Sequence, residues 1–210
     1  MRRTIIIFTF LLLTMYGWAQ DTTNSRKFVD VSISLAGFGG DFVTNSTGIQ
    51  LGAEFRLINN VSMQCDLRYI FDVDSQKGWG QLIVIVDDLK GFAVNTEIKK
   101  YIRQDKNELK GGYYGGQALV MYTEAFQGDN KIKRTKIGLY ATLGWKYIAK
   151  SGFLFETMAG IGAQLISSNS SINTTDISSH SNEFPWSKPY ESGTNLYPDL
   201  TWNVRVGWRF

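Results

Sequence analysis

Ten charged residues sit at alternate positions inside otherwise apolar stretches. They are Glu54 and Arg56, Asp66 and Arg68, Glu97 and Lys99, Arg205 and Arg209, with Lys146 and Glu156 on two further stretches. In an extended chain a spacing of two places both members of a pair on one face. Acids and bases facing each other across a narrow space can neutralise one another as a structural network. If water enters between them, they can instead line a path for ions or protons. A closed ring of few strands favours the first outcome, because small barrels fill their interiors with side chains.

Other residues with chemical potential are less well placed. His180 is the only histidine, beside Asp176, Ser178, Ser179 and Ser181 in a Ser/Asn-rich stretch from 167 to 182. A Ser-His-Asp hydrolase needs its base held by rigid neighbours, and such a stretch reads instead as a solvated loop. One histidine and one cysteine at unrelated places make no metal ligand set. Cys65 lies between Met63 and Leu67 on an apolar face and reads as a packing or lipid-facing residue. The pairs Gly39-Gly40, Gly111-Gly112 and Gly115-Gly116 are not followed by Lys-Ser/Thr, so they mark bends rather than a phosphate loop. The stretch from Lys131 to Lys136 is basic and could meet lipopolysaccharide phosphates or simply water. No catalytic residue, cofactor or metal is expected, and the chain reads as non-enzymatic.

Strands must position these charges. The clearest spans Leu200 to Phe210, where Leu200, Trp202, Val204, Val206, Trp208 and Phe210 alternate with Thr201, Asn203, Arg205, Gly207 and Arg209. Alternation of this length, ending on an aromatic, suits the closing strand of an outer-membrane barrel. Trp202, Val204, Val206, Trp208 and Phe210 would be its barrel-insertion signal. Seven more alternating segments precede it: 28–37, 48–57, 61–71, 92–102, 112–123, 136–148 and 152–166. Gln81 to Val86 is an apolar run without a polar face, which leaves open an earlier start for the fourth strand.

Short links (58–60 and 149–151) and a polar turn (103–111) alternate with long ones (38–47, 72–91, 124–135 and 167–199). Short turns at one end and long loops at the other are the habit of membrane barrels, and they put both termini in the periplasm. A lipocalin-like barrel also has eight strands, but its apolar face points inward. Aromatics cluster near segment ends, among them Tyr69, Phe71, Phe92, Tyr101, Tyr122, Trp145, Tyr147, Phe153 and Trp208, as two headgroup levels would require.

Arg2 and Arg3, the apolar run Ile5 to Met15 and Gly17-Trp18-Ala19 read as a secretory signal over 1–19, with 20–27 a short periplasmic segment and 28–210 the barrel. The alternative is an uncleaved anchor helix. Losing the two arginines lowers the formal charge from +3 to +1, which gives no reason to expect nucleic acid as a partner. No apolar run reaches the 18 residues of a membrane helix. Any membrane crossing must be made by strands, a point in keeping with 21 glycines and only 3 prolines.

Thr96-Glu97-Ile98-Lys99-Lys100-Tyr101 ahead of a turn resembles the glutamate-then-aromatic strand of the DUF3575 family. The run Gly144-Trp145-Lys146-Tyr147 through Lys150-Ser151-Gly152-Phe153 to Gly160-Ile161-Gly162, and the Tyr197-Pro198 approach to the last strand, are similar to it too. The resemblance covers 92–210 and implies an outer-membrane barrel of Bacteroidetes-type bacteria, with the porin-like barrels of that lineage as near neighbours. It brings no catalytic residues.

The expectation is therefore an all-β, eight-stranded antiparallel transmembrane barrel in the outer membrane, with a structural or interaction role through its external loops. Its partners would be outer-membrane lipid, lipopolysaccharide, the barrel-assembly machinery and an external partner not readable from sequence. A small porin-like channel or transport accessory is the alternative.

Overall fold

The computed structural model describes residues 29–35, 48–58, 60–71, 87–102, 109–127, 130–170 and 192–210. Eight strands follow in order: β1 (Val29–Ser34), β2 (Gly48–Ile58), β3 (Val61–Phe71), β4 (Asp87–Tyr101), β5 (Gly111–Gln127), β6 (Asn130–Ile148), β7 (Phe153–Ser170) and β8 (Gly193–Arg209). Each pairs antiparallel with the next, and β8 pairs with β1, so the sheet closes into a barrel. Closure removes the unpaired edges that an open sheet of this size would expose.

The register sets the shape. From Val31 it runs through Ala53, Cys65, Thr96, Ala118, Leu139 and Ala163 to Pro198. Extending the pairing of Arg205 with Ser34 along both strands brings it back to β1 about ten residues further on. With a rise of ~3.3 Å and a strand spacing of ~4.8 Å, such a stagger tilts eight strands by about 40°. The short links between β2 and β3 and between β6 and β7, together with Val29 and Arg209, define what we call the lower end. The 148–153 turn uses Gly152 at φ 93°, and β5 begins at Gly111 at φ 91°, both in the left-handed region that costs glycine least.

Alternation decides which way each residue points. In β1 every second residue is buried, and large apolar side chains such as Leu139 (67 % exposed), Leu143, Ile161 and Leu200 (72 %) face outward. Polar and charged side chains fill the inside. This is the reverse of a water-soluble barrel.

β1 ends at Ser34 rather than 37, and five other strands run past the alternation limits at their upper ends. β4 begins at Asp87 rather than 92, β5 continues to Gln127, β6 starts at Asn130, β7 reaches Ser170 and β8 starts at Gly193. The stretch 124–135 is therefore mostly a paired hairpin, and 167–170 and 193–199, the two ends of the longest link, are strand. Thr123, Lys133, Thr135, Ser167 and Thr194 carry no apolar face to read, yet their backbones continue the ladder. Pro198 lies within β8, paired to Ala163 on one side. Its other side has no strand partner among the described residues, the position where a strand tolerates proline. Residues 1–28, 81–86 and His180 lie outside the described residues.

Candidate functional site

The interior of the lower half is a continuous chain of opposite charges. Arg205 Nη2 lies 3.0 Å from Asp66 Oδ2, and its Nη1 lies 2.5 Å from Glu156 Oε1. Lys99 Nζ bridges Glu156 at 2.7 Å and Glu54 at 2.8 Å. Lys146 Nζ joins Glu54 at 2.8 Å to Asp30 at 2.5 Å. Arg209 donates to both oxygens of Asp30, from Nε at 2.7 Å and Nη2 at 2.8 Å. Four carboxylates thus alternate with four cations, and every one of the eight side chains is at least nine-tenths buried.

Neutral donors complete the carboxylates. Glu54 also accepts from Ser62 at 2.6 Å and Tyr101 at 2.8 Å. Tyr113 donates to Glu156 at 2.7 Å, Gln64 to Asp66 at 2.7 Å, and Lys99 to Gln64 as well. Glu97 accepts from Thr142 at 2.8 Å. Its other oxygen is 3.6 Å from Arg205, close enough for charge attraction but too long for a hydrogen bond. Because the members come from β1 through β8, the network ties every strand to the others. A lone charge at any of these positions would face a desolvation penalty of several kcal/mol; alternation and hydrogen bonding offset it here.

Glycines make room for the rings. Tyr113 lies against Gly144, where any β-carbon would run into its ring, and Tyr140 covers Gly138 in the same way. Such alternation of small and large residues fills a narrow barrel. Tyr101 and Tyr113 sit 5.3 Å apart, centroid to centroid, and Lys99 Nζ lies 4.9 Å from the Tyr113 ring. Tyr101, Leu109, Tyr113 and Met158 form an apolar cluster at the lower end. Ile70, Leu89, Ala93 and Met121, with Leu119 against them, form a second in the upper barrel. The charges are enclosed between them.

Of the ten charged residues singled out by spacing, Glu54, Asp66, Glu97, Lys99, Lys146, Glu156 and Arg205 are buried together in this network, and Arg209 joins it at the lower mouth. Arg56 and Arg68 face inward but stay half-buried, near the two ends. Tyr101 is a correction: it belongs to the interior, 1 % exposed, and not to an outward aromatic level. Its parity with Glu97 and Lys99 carried that signal. Asp30, Gln64 and Tyr113 are further members that the charge pattern alone did not single out. The basic stretch 131–136 divides by parity, with Lys133 exposed and Lys136 buried inside. Cys65 is half-buried and free.

Outside, Trp202, Val204, Val206, Trp208 and Phe210 share the outward face of β8. Rings gather at two levels. The lower holds Trp145 stacked near Tyr147 and Phe153 edge-on to Trp208; the upper holds Tyr69 with Phe71, and Phe92 with Tyr122. Above the upper level the outward residues turn polar: Lys90, Glu124, Lys131 and Lys133. Among the described residues no three of His, Cys, Asp and Glu converge as a metal site. No family model matches this chain, and neither a curated protein nor a solved structure matches it.

Proposed function

We propose that the chain is an outer-membrane β-barrel protein whose lumen is sealed, and that its role is structural or interaction-bearing rather than enzymatic. The observation that carries this reading is the inverted barrel: an apolar outward face between two aromatic levels, around an interior of paired charges. Along β5, Tyr122 of the upper level stands ten residues from Gly112, the partner of Trp145 in the lower one; at a tilt of about 40° that corresponds to a band of roughly 25 Å, the height of a bilayer's apolar core for such barrels. The secretory signal at 1–19 and the resemblance to the DUF3575 family support the same compartment, with the lower end periplasmic. Lys90, Lys131 and Lys133 would then stand at the level of lipid phosphates, lipopolysaccharide included, and the upper ends of β4 to β8 would present the surface for an external partner.

Two measurements test this in sequence. Refolded protein should need detergent or lipid and should migrate differently on gels before and after heating. In planar bilayers the folded barrel should then give no discrete current steps. A soluble, heat-insensitive chain would end the membrane reading. Reproducible steps would favour the alternative, a small channel or transport accessory, which the continuous line of charges from Asp66 to Arg209 motivates.

A further inference from the structure

Charge on the outer surface of the upper rim is gathered on one side. Lys90, Glu124 and Lys133 are cross-strand partners in a single outward row over β4, β5 and β6. One row higher Phe126 partners Lys131, and Lys131 pairs with Glu124 through Nζ and Oε1. Lys90 Nζ and Lys131 Nζ lie 5.9 and 5.4 Å from the centre of the Phe126 ring, so one aromatic side chain gathers two cations at the row. Directly below, Phe92 and Tyr122 of the upper aromatic level are partners with rings 5.9 Å apart. Elsewhere at this height the described outward side chains are uncharged, from Ile49 and Phe71 on one flank to Asn169 and Leu196 on the other. A rim that met only water would intersperse its charges around the circumference.

The spacing of the row selects among anions. Neighbouring strands stand ~4.8 Å apart, so the backbones of Lys90 and Lys133 are about 10 Å apart with Glu124 midway. A single phosphate placed between the lysines meets the Glu124 carboxylate and is repelled. Two phosphates carried at either end of a sugar unit straddle that carboxylate, which can accept from a sugar hydroxyl. Asn169, the partner of Lys133 on β7, and Ser167, which accepts from Thr194 at 3.3 Å one row below, continue the surface with amide and hydroxyl groups. We infer that this row binds the headgroup of a bis-phosphorylated glycolipid of the lipopolysaccharide type, one phosphate at Lys90 and one at Lys133, with its acyl chains over Phe92 and Tyr122. The inference rests on the outer-membrane reading above and adds to it a ligand and the residues that hold it.

The test uses the full refolded chain in nonionic detergent, checked first for heat-modifiable migration, with lipid A as the probe and native mass spectrometry to count lipids retained per barrel. One lipid A should be retained, its dephosphorylated form lost, and phosphatidylglycerol, with one phosphate, held about fivefold more weakly. Lys90→Gln combined with Lys133→Gln should weaken lipid A retention by about 30-fold. Lys100→Gln, an exposed lysine near the lower end of β4 whose Nζ lies 5.9 Å from the Tyr114 ring, should leave it unchanged. Glu124→Gln should bring phosphatidylglycerol towards the retention of lipid A, because the group that turns a single phosphate away is gone. Phosphatidylglycerol held by the parent as firmly as lipid A would mean diffuse attraction to any anion and would overturn the inference. Lipid A held equally by the double variant would overturn it too. Both results leave the membrane reading standing, whereas a chain that never becomes heat-modifiable ends the two together.

Discussion

Arg209 closes on Asp30 through two parallel hydrogen bonds, 2.7 and 2.8 Å long, and in doing so clips the last strand to the first. The backbone seals the same seam: Phe210 N donates to Val29 O at 3.0 Å, and Leu35 N to Val204 O at 2.7 Å. Bidentate arginine–carboxylate pairing is the geometry lysine cannot reproduce.

Arg209→Ala should therefore destabilise the barrel by about 3 kcal/mol, since it leaves a buried carboxylate short of a partner. Asp30→Ala should cost more, because it leaves Arg209 unpaired and takes from Lys146 one of its two carboxylates, Glu54 remaining. Arg209→Lys should recover only part of the loss. Urea midpoints of the heat-modifiable form rank the three, and an Arg209→Lys barrel as stable as the parent would refute the bidentate account.

Lys99 is the most connected cation, 0 % exposed and shared by Glu54, Glu156 and Gln64. Lys99→Met should cost about 3–5 kcal/mol by leaving two carboxylates facing each other. Adding Glu156→Gln should restore part of it, so the pair is strongly non-additive. Independent, additive effects in that double-mutant cycle would mean the contacts do not act as a network.

Gly144 and Gly116 separate interior packing from surface tolerance. A β-carbon at Gly144 meets the Tyr113 ring, whereas one at Gly116 meets nothing closer than 4.0 Å. Gly144→Ala should cost about 1–3 kcal/mol by displacing Tyr113 from Glu156, and Gly116→Ala should be close to neutral. Equal effects would contradict the assignment of inner and outer faces.

Leu139 is 67 % exposed on the outward face of β6. At the middle of a lipid-facing band, Leu139→Arg should cost about 2–4 kcal/mol, while in water an exposed leucine can become arginine within about 0.5 kcal/mol. Denaturant titration of the variant refolded into lipid vesicles distinguishes these. An unchanged midpoint would count against lipid contact.

Glu124 lies above the upper aromatic level. A hydrogen bond from Lys131 chiefly holds its carboxyl below the usual carboxylate range, and Lys133 and Lys90 add to the effect. A depressed folded pKa means that whatever the pair contributes is present above the unfolded value and is lost as pH falls through the folded one. The Glu124 carboxyl carbon, followed by NMR, should titrate below pH 4.5, and the shift should shrink in Lys131→Gln. A carboxyl that titrates no lower than a free glutamate would show that no such pair forms in solution.

Sequence by itself determined the number of strands, their order and, with Tyr101 as the exception, the face on which the alternating residues lie. A period of two is a local property of the chain, so alternation between Leu139, Ala141 and Leu143 on one side and Tyr140 and Thr142 on the other needs no partner to be read. It also placed Glu54, Lys99, Glu156 and Arg205 on inner faces. The upper ends of β4 to β8 were not legible, because above the apolar band both faces are polar and pairing is maintained by backbone hydrogen bonds that side-chain types do not report. Which acid meets which base was decided only by the closed barrel. Asp30 and Arg209 are 179 residues apart in the chain, and their contact follows from ring closure, stagger and tilt.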